Sequence, residues 1–282
     1  MSHAAAQALL LLTTACATTT VAPLFQVSNL QATYHVPGNL GISSCRDSLD
    51  SAVPGDGARL DPYDIRLANW NIRKNSSPDW LRDYDQLAAG RDLILIQEAS
   101  LRPDTITDLT PDMHWSFAPG YRTSGAVTGV LTLSTRKPLT QCSFVTMEPL
   151  MRTPKGTSLT QYGLTGTEQT LVVVNVHAVS LSFGLDVFEQ QFAQIAAALE
   201  NHTGPVILSG DLNTWRHGRM AVIDNLAATL SLEPLSFSED HRMRVMGRFL
   251  DHIYVRGLTA LQSNTRMVST SDHRPMSVTL TM

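Results

Sequence analysis

The chain has 282 residues, 43% of them hydrophobic and 16% charged, with a formal net charge of −4. Those values describe an ordinary soluble globular protein, long enough for one large domain or two small ones with a sizeable core. They speak against a general nucleic-acid-binding surface, so an anionic partner has to be met by a local basic patch or a metal ion.

No Asp, Glu, Lys or Arg precedes Arg46. The stretch "AAAQALLLLTTACATTT" sets a short apolar run before small residues and Cys16, nearer to a signal-peptide core than to a membrane span. "LTTAC" is a loose version of a bacterial lipoprotein cleavage site, without the usual large aliphatic residue near the Cys or a basic residue near Met1. Two readings therefore stand side by side: an exported protein lipidated on Cys16, and a cytoplasmic one whose first residues carry no signal. Cys45 and Cys142 can pair if the protein is exported, and can equally be two free thiols. No CxxC or Cys/His spacing suggests a zinc site. Residues 17 to about 60, rich in Thr, Ser, Gly and Pro, read as a flexible arm; residues 61–282 read as the folded domain.

From Ile65 the pattern changes. "IRLANWNI" reads as a strand. "SPDWLRDYDQLAAGRD" reads as a helix with Ser77 or Asp79 near its start and Gly90 near its end. The strands "DLILIQE", "GVLTLST" and "TLVVVNVHA" follow. Next, "LDVFEQQFAQIAAALENH" sets Phe188, Phe192, Ile195 and Leu199 on one helical face. Beyond the strand "PVILSGD", a similar spacing recurs at Met220, Ile223, Leu226, Ala227 and Leu230. The strands "LDHIYVRG" and "MSVTLTM" close the chain. The whole is an α/β fold, and several strands apolar throughout imply sheets covered on both faces.

Polar residues collect where these strands end. Asn71, Gln97-Glu98, Asn175 and His177, Asp211 and Asn213, Asp251, and Asp272-His273 all occupy such positions. Singly, each has an ordinary structural role: a turn Asn, a helix-capping Asp, a hydrogen-bonded His. As a set they suit a site assembled on one rim from residues distant in sequence. No GxSxG, P-loop or dinucleotide glycine fingerprint competes. "SEDHRMRV", with Arg242, Arg244 and nearby Arg248, reads as a charged surface loop, or alternatively as a phosphate-contacting loop beside the site.

In order, "NWNI", "LIQE", "VNVHA", "SGDLN", "LDHI" and "SDHRP" resemble the endonuclease/exonuclease/phosphatase superfamily, which includes DNases, abasic-site endonucleases, sphingomyelinases and inositol-phosphate phosphatases. The resemblance runs from about Ile65 to Met282 and looks closest to a poorly characterised bacterial branch. It implies a four-layer α/β sandwich, two stacked mixed β-sheets flanked by helices. It also implies a metal-dependent phosphodiester hydrolase, most simply a nuclease acting on DNA, with Mg²⁺ as cofactor and Mn²⁺ or Ca²⁺ as substitutes. A phospholipid (sphingomyelinase-like) or small-molecule phosphoesterase is the alternative, and a non-catalytic binding module on the same fold is a second.

The resemblance assigns roles. Glu98 is the main metal carboxylate, aided by Asn71 and by Asp272. Asp211 orients or deprotonates the attacking water. Asn213 and His177 hold phosphate oxygens, and His273, oriented by Asp251, stabilises developing charge. Arg73 is a phosphate contact. The chemistry explains these residue types: hard oxygens suit Mg²⁺, a carboxylate aligns the water proton, and imidazolium and amide donors stabilise the spreading charge. Arg73-Lys74 replaces the acidic residue of the abasic-site enzymes, and His177 their Tyr. The Glu that partners the corresponding His in the DNase-like members is not identifiable in this sequence.

Overall fold

The computed structural model of the protein describes residues 41–54, 58–102, 109, 112–123 and 125–282. The expected signal segment and Cys16 lie outside these residues.

Two six-stranded sheets are stacked face to face. The first has the order β13-β14-β1-β2-β4-β3, built from β1 (Ile65–Asn71), β2 (Leu93–Leu101), β3 (His114–Thr123), β4 (Ala126–Ser134), β13 (Thr259–Thr265) and β14 (Met276–Thr281). The second has the order β5-β6-β7-β8-β12-β9, built from β5 (Thr140–Met147), β6 (Pro154–Gly163), β7 (Thr170–His177), β8 (Val206–Asp211), β9 (Glu233–Pro234) and β12 (Asp251–Arg256). Both are mixed: β1/β2 and β7/β8 run parallel, while β8/β12 and β1/β14 run antiparallel. A short hairpin, β10 (Arg244–Val245) and β11 (Arg248–Phe249), stands apart. Helix α2 (Trp80–Ala88) covers the first sheet, packing Tyr84 and Leu87 on Trp70, Ile94 and Ile96. Helices α1 (Ile42–Ser51), α3 (Asp186–Ala198) and α4 (His217–Leu230) cover the second. The apolar faces read for α3 and α4 are buried there: Phe188, Phe192, Ile195, Ile223, Leu226 and Leu230.

The predicted flexible arm up to residue 60 includes α1, so the packed body starts earlier than the sequence suggests. Cys45 and Leu49 are buried against the second sheet, Cys45 is disulfide-bonded to Cys142 in β5, and Leu60 bridges to Leu164. A ten-residue helix with two buried apolar residues and a cross-link holds a segment whose composition looks loose.

Strand alternation explains how this fold makes a rim. Side chains two apart on a strand share a face. Leu67, Leu95, Val173, Ile207 and Ile253 fill the space between the sheets. Val172, Val174, Val176 and Leu208 face the helices instead. Two or four residues along from the inter-sheet positions, on the same face, stand Asn69 and Asn71, Gln97, Asn175 and His177, Ser209 and Asp211, and Asp251. The interior layer thus turns from apolar to polar toward one end of the sandwich. Gln97 and Asn175, which the sequence places at strand ends, are an inner tier. Gln97 Nε2 donates to Asn69 Oδ1 at 2.9 Å and Asn175 Oδ1 at 2.7 Å, and Asn175 Nδ2 donates to the Leu131 carbonyl at 3.0 Å. These buried amides satisfy one another between the sheets.

Candidate active site

Register lines up three residues across the second sheet: β7 pairs His177 with Asp211, and β12 pairs Asp251 with Asp211. Gly210 makes the close approach possible. It has φ +151, and a Cβ built there would overlap the Val176 carbonyl oxygen. Asp211 is the hub. Its Oδ2 accepts from Asn71 Nδ2 of the facing sheet at 3.1 Å, and lies 3.7 Å from His177 Nε2 and 3.8 Å from His273 Nε2. Its Oδ1 accepts from the Asn213 backbone N–H at 3.1 Å, a turn that puts Asn213 at φ +49.

His273 arrives on the loop before β14. Trp70 Nε1 donates to its carbonyl at 3.1 Å, and Ser271 Oγ accepts its N–H at 3.1 Å while donating to the Asn71 carbonyl at 2.7 Å. Its Nδ1 lies 2.8 and 3.0 Å from the two Asp251 oxygens. Burial works against a charged ring here, but Asp251 and Asp211 outweigh it and raise the His273 pKa to about 10. Burial lifts the Asp211 carboxyl to about 6, with Asp251 adding to the rise and His273, Lys155 and Asn71 opposing it.

Glu98 reaches the site through an irregularity. Strict alternation would turn it with Ile94 and Ile96 toward α2. A bulge between Ile96 and Ala99, with Glu98 at φ +53, re-aims it. Its Oε1 lies 3.8 Å from His177 Nε2. Just after Asn71, three successive residues, Arg73, Lys74 and Asn75, take φ of +49, +60 and +53. Left-handed backbone costs an L-residue about 1–2 kcal/mol, so this turn is held by its surroundings. Arg73 N–H donates to Asn71 Oδ1 at 3.1 Å, and the Asn75 amide exchanges two 3.2 Å hydrogen bonds with the Ser100 backbone.

The structure thus brings Asn71, Glu98, His177, Asp211, Asn213, Asp251 and His273 together. Asp272 and the Arg73 side chain are exposed at the edge of this group. Two expected roles meet different surroundings. Asn213 Nδ2 donates to the Ala178 carbonyl at 3.1 Å, so one of its donors is already used. His177 Nε2 lies 2.9 Å from Lys155 Nζ. An ammonium only donates, so Nε2 accepts and offers no proton to a phosphate in this arrangement. Burial, then Lys155, His273 and Lys74, hold the His177 pKa well below its ordinary value. The hydrogen-bond partner of this His is therefore a lysine, where the DNase-like pattern has a Glu.

Several supporting residues escaped the sequence reading. Lys155 in β6, Lys74 and Tyr121 line a cavity of about 220 Å³ next to Glu98 and His177. Arg219, buried in α4, donates to the Asn213 carbonyl at 3.2 Å and to the Val179 carbonyl, bracing both loops; burial lowers its pKa to about 10. Arg242, expected on a charged surface loop, is buried. It forms a two-pronged ion pair with Asp240 at 2.6 and 2.9 Å, stacks 3.9 Å from the Phe249 ring centroid, and donates to the Asp251 carbonyl at 3.0 Å. Arg244 and Arg248 of the attached hairpin remain exposed.

The donor set fits a hard divalent cation. Asp211 and Asp251 bring ligand atoms within 4.8 Å of each other and of His273, whose charged ring has no lone pair to give, and the Glu98 carboxylate lies 3.8 Å from His177 Nε2.

Comparison with known proteins agrees with this geometry. The sequence pattern of the Endonuclease/Exonuclease/phosphatase family matches residues 67–273. The chain is 31% identical over 222 residues to the UPF0294 protein of Vibrio campbellii, covering 78% of each. Its fold is similar to an endonuclease/exonuclease/phosphatase of Beutenbergia cavernae (TM-score 0.59, 15% identity, 78% of this chain and 72% of that one). It is similar as well to the human Nocturnin catalytic domain with bound sulfate (TM-score 0.59, 17% identity, 80% and 96%). A third similar structure is the mannosyl-6-phosphatase of Bacteroides thetaiotaomicron (TM-score 0.58, 15% identity, 77% and 100%). With the matched stretch running from β1 to His273 and so taking in the whole rim, the chain belongs to the Endonuclease/Exonuclease/phosphatase family of metal-dependent phosphoesterases.

Proposed function

We propose that the protein is a Mg²⁺-dependent phosphodiesterase that cleaves nucleic acid, DNA in the first instance. The observation that carries the reading is the Asp211 carboxylate. It is oriented by Asn71 from the opposite sheet and faced by a His273 ring that Asp251 holds at 2.8 Å. Glu98 and Asn71 would hold the cation, with Asp272 at the edge. The cation would neutralise phosphate oxygens and polarise the reacting centre. Asp211 aligns and accepts the proton of the attacking water. His273, kept charged by Asp251, donates to a phosphoryl oxygen as charge develops, and the remaining Asn213 amide proton supports it. The basic residues near the site, Lys74, Lys155 and Arg73, supply locally the positive charge that the whole chain lacks.

The test is Mg²⁺-dependent hydrolysis of bis(p-nitrophenyl) phosphate beside nicking of supercoiled plasmid, for wild type and His273→Ala. Both activities are expected, and both are lost in the variant. Hydrolysis of the small diester with plasmid left intact would reject the nuclease reading.

A second reading has its own observation. Leu150, Met151, Leu181 and Phe183 are 54%, 60%, 46% and 89% exposed. Glu148 ties their two loops together by accepting from the Ser180 and Leu181 N–H groups at 2.7 Å. An apolar rim beside the site suits an amphiphilic phosphodiester. Turnover of sphingomyelin or phosphatidyl lipids in vesicles, with none of plasmid, would establish it.

A further inference from the structure

The cavity beside Glu98 and His177 has features that cleavage of a single diester does not use. Its floor is backbone. Gly120, Gly129 and Gly156 line it, and a Cβ at any of them would press on main-chain oxygens of Pro154, Thr128 or Ala118. The edges of β3, β4 and β6 close together there and leave room above. At about 220 Å³ the space falls below the roughly 300–1,000 Å³ of pockets that enclose a whole drug-sized ligand. It takes one group of a larger substrate.

Two ammonium groups face that space. Lys155 reaches it from β6, with its Nζ 2.9 Å from His177 Nε2. Lys74 reaches it from the left-handed turn and stands 5.6 Å from the Tyr121 ring centroid. Among the described residues, neither lysine has a carboxylate within ion-pair distance, although Glu98 attracts Lys74 and Glu148, bound to Ser180, Leu181 and Thr153, attracts Lys155 across the cavity. The strained backbone is what aims Lys74. The turn is stabilised by the Asn75–Ser100 and Arg73–Asn71 hydrogen bonds, and strain of this kind gathers where a side chain's position matters. Convergent ammonium groups that form no ion pair, with the Tyr121 phenol of β3 at the same wall, form an anion site.

We propose that Lys74, Lys155 and Tyr121 form a subsite for a second phosphate of the substrate, carried next to the diester being cleaved. The proposal rests on the phosphodiesterase reading above and narrows its substrate class to compounds with two neighbouring phosphates. That second phosphate is either the adjacent diester of a polynucleotide strand or a terminal phosphomonoester; both offer the same anionic oxygens to the two lysines.

The experiment uses TpT, TpTpT, and TpT carrying a 5′- or a 3′-phosphate, with wild type, Lys74→Met and Lys74→Arg. Turnover with Mg²⁺ and calorimetric binding to the metal-free protein are measured in parallel. Wild type is expected to prefer at least one substrate with a second phosphate over TpT by about tenfold or more in kcat/KM and in affinity. Lys74→Met should shrink that preference severalfold, and Lys74→Arg should keep most of it. A preference for TpTpT identifies the adjacent diester; one confined to the 5′- or 3′-phosphorylated dinucleotide identifies the terminal monoester. Equal binding of all four compounds, or a preference untouched by Lys74→Met, overturns the subsite. Selective binding without turnover of any compound leaves the subsite standing and rejects the phosphodiesterase reading; turnover without selectivity does the reverse.

Discussion

His273 Nδ1 and Asp251 Oδ2 lie 2.8 Å apart, both buried, at the junction of the two sheets. The pair joins a loop of the first sheet to the first residue of β12 in the second, and it keeps the imidazole charged on the side that faces Asp211. Its ordinary pKa of 6.5 is raised to about 10 against the opposing effect of burial.

Asp251→Asn keeps the shape and removes the charge. The kcat/KM is expected to fall by about 100-fold or more. The loss should be larger at pH 8 than at pH 6, because the variant's ring loses its proton in a range where the wild-type ring holds it. An NMR titration should show the His273 pKa falling toward 6.5. The pair stabilises the fold fully below pH 6.5, and that stabilisation is lost as pH rises toward 10.

Glu148 gives a dependence of the opposite sign. It accepts from Ser180 N, Leu181 N, Ser180 Oγ and Thr153 Oγ1. Burial alone would raise its carboxyl, but these bonds and Lys155 prevail and lower it from 4.5. The stabilisation is present above pH 4.5 and is lost as pH falls through the lowered value. Glu148→Gln should cost about 1.5–3 kcal/mol at pH 7. In chemical denaturation the gap to wild type should narrow toward pH 3; a gap independent of pH would contradict the charged hydrogen bonds.

Gly210→Ala should cost about 3 kcal/mol or more, since φ is +151 and the added carbon strikes the Val176 carbonyl. Gly184→Ala, where a Cβ meets nothing closer than 3.8 Å, should stay within about 0.5 kcal/mol of wild type. Denaturation midpoints of the two variants make the comparison.

The Cys45–Cys142 bond spans 97 positions. Loop entropy for a cross-link of that length is worth up to about 4.7 kcal/mol. Cys45→Ser should lower the thermal midpoint by several degrees or more, and thiol counting on denatured wild type should leave Cys45 and Cys142 unreactive until a reductant is added.

Removal of divalent cations by a chelator should abolish turnover, and Mg²⁺ should restore it. Glu98→Gln is expected to raise the half-saturating Mg²⁺ concentration at least about tenfold, with little change in thermal midpoint beyond that of the metal itself.

Much of this fold is local in origin. Apolar strands flanked by turn residues, and helices with apolar spacing at Phe188, Phe192 and Ile195, form wherever those patterns occur, so the layers were legible. So were the rim residues of β1, β7 and β8, because period-two alternation carries the interior face from Val173 to His177 and from Ile207 to Asp211. Glu98 was legible as a strand-end carboxylate, but its aim was not, since alternation turns it the wrong way and only the bulge corrects it.

A spacing of two to four residues thus encodes both the layered α/β architecture and the chemical character of its rim. The tertiary structure alone decided the partners. Lys155 meets His177 because β6 and β7 pair antiparallel up to Thr157–Val176, which brings the residues just beyond that pair together although they are 22 positions apart in sequence. Lys74 enters the cavity because three residues adopt a backbone that their types do not favour and that contacts to Asn71 and Ser100 hold in place. Helix α1 is fixed by Cys142 and the second sheet, against a local composition that reads as loose. In each case the deciding energy comes from a contact made by residues distant in the chain, and a pattern of spacing along one strand or helix carries no record of such a contact.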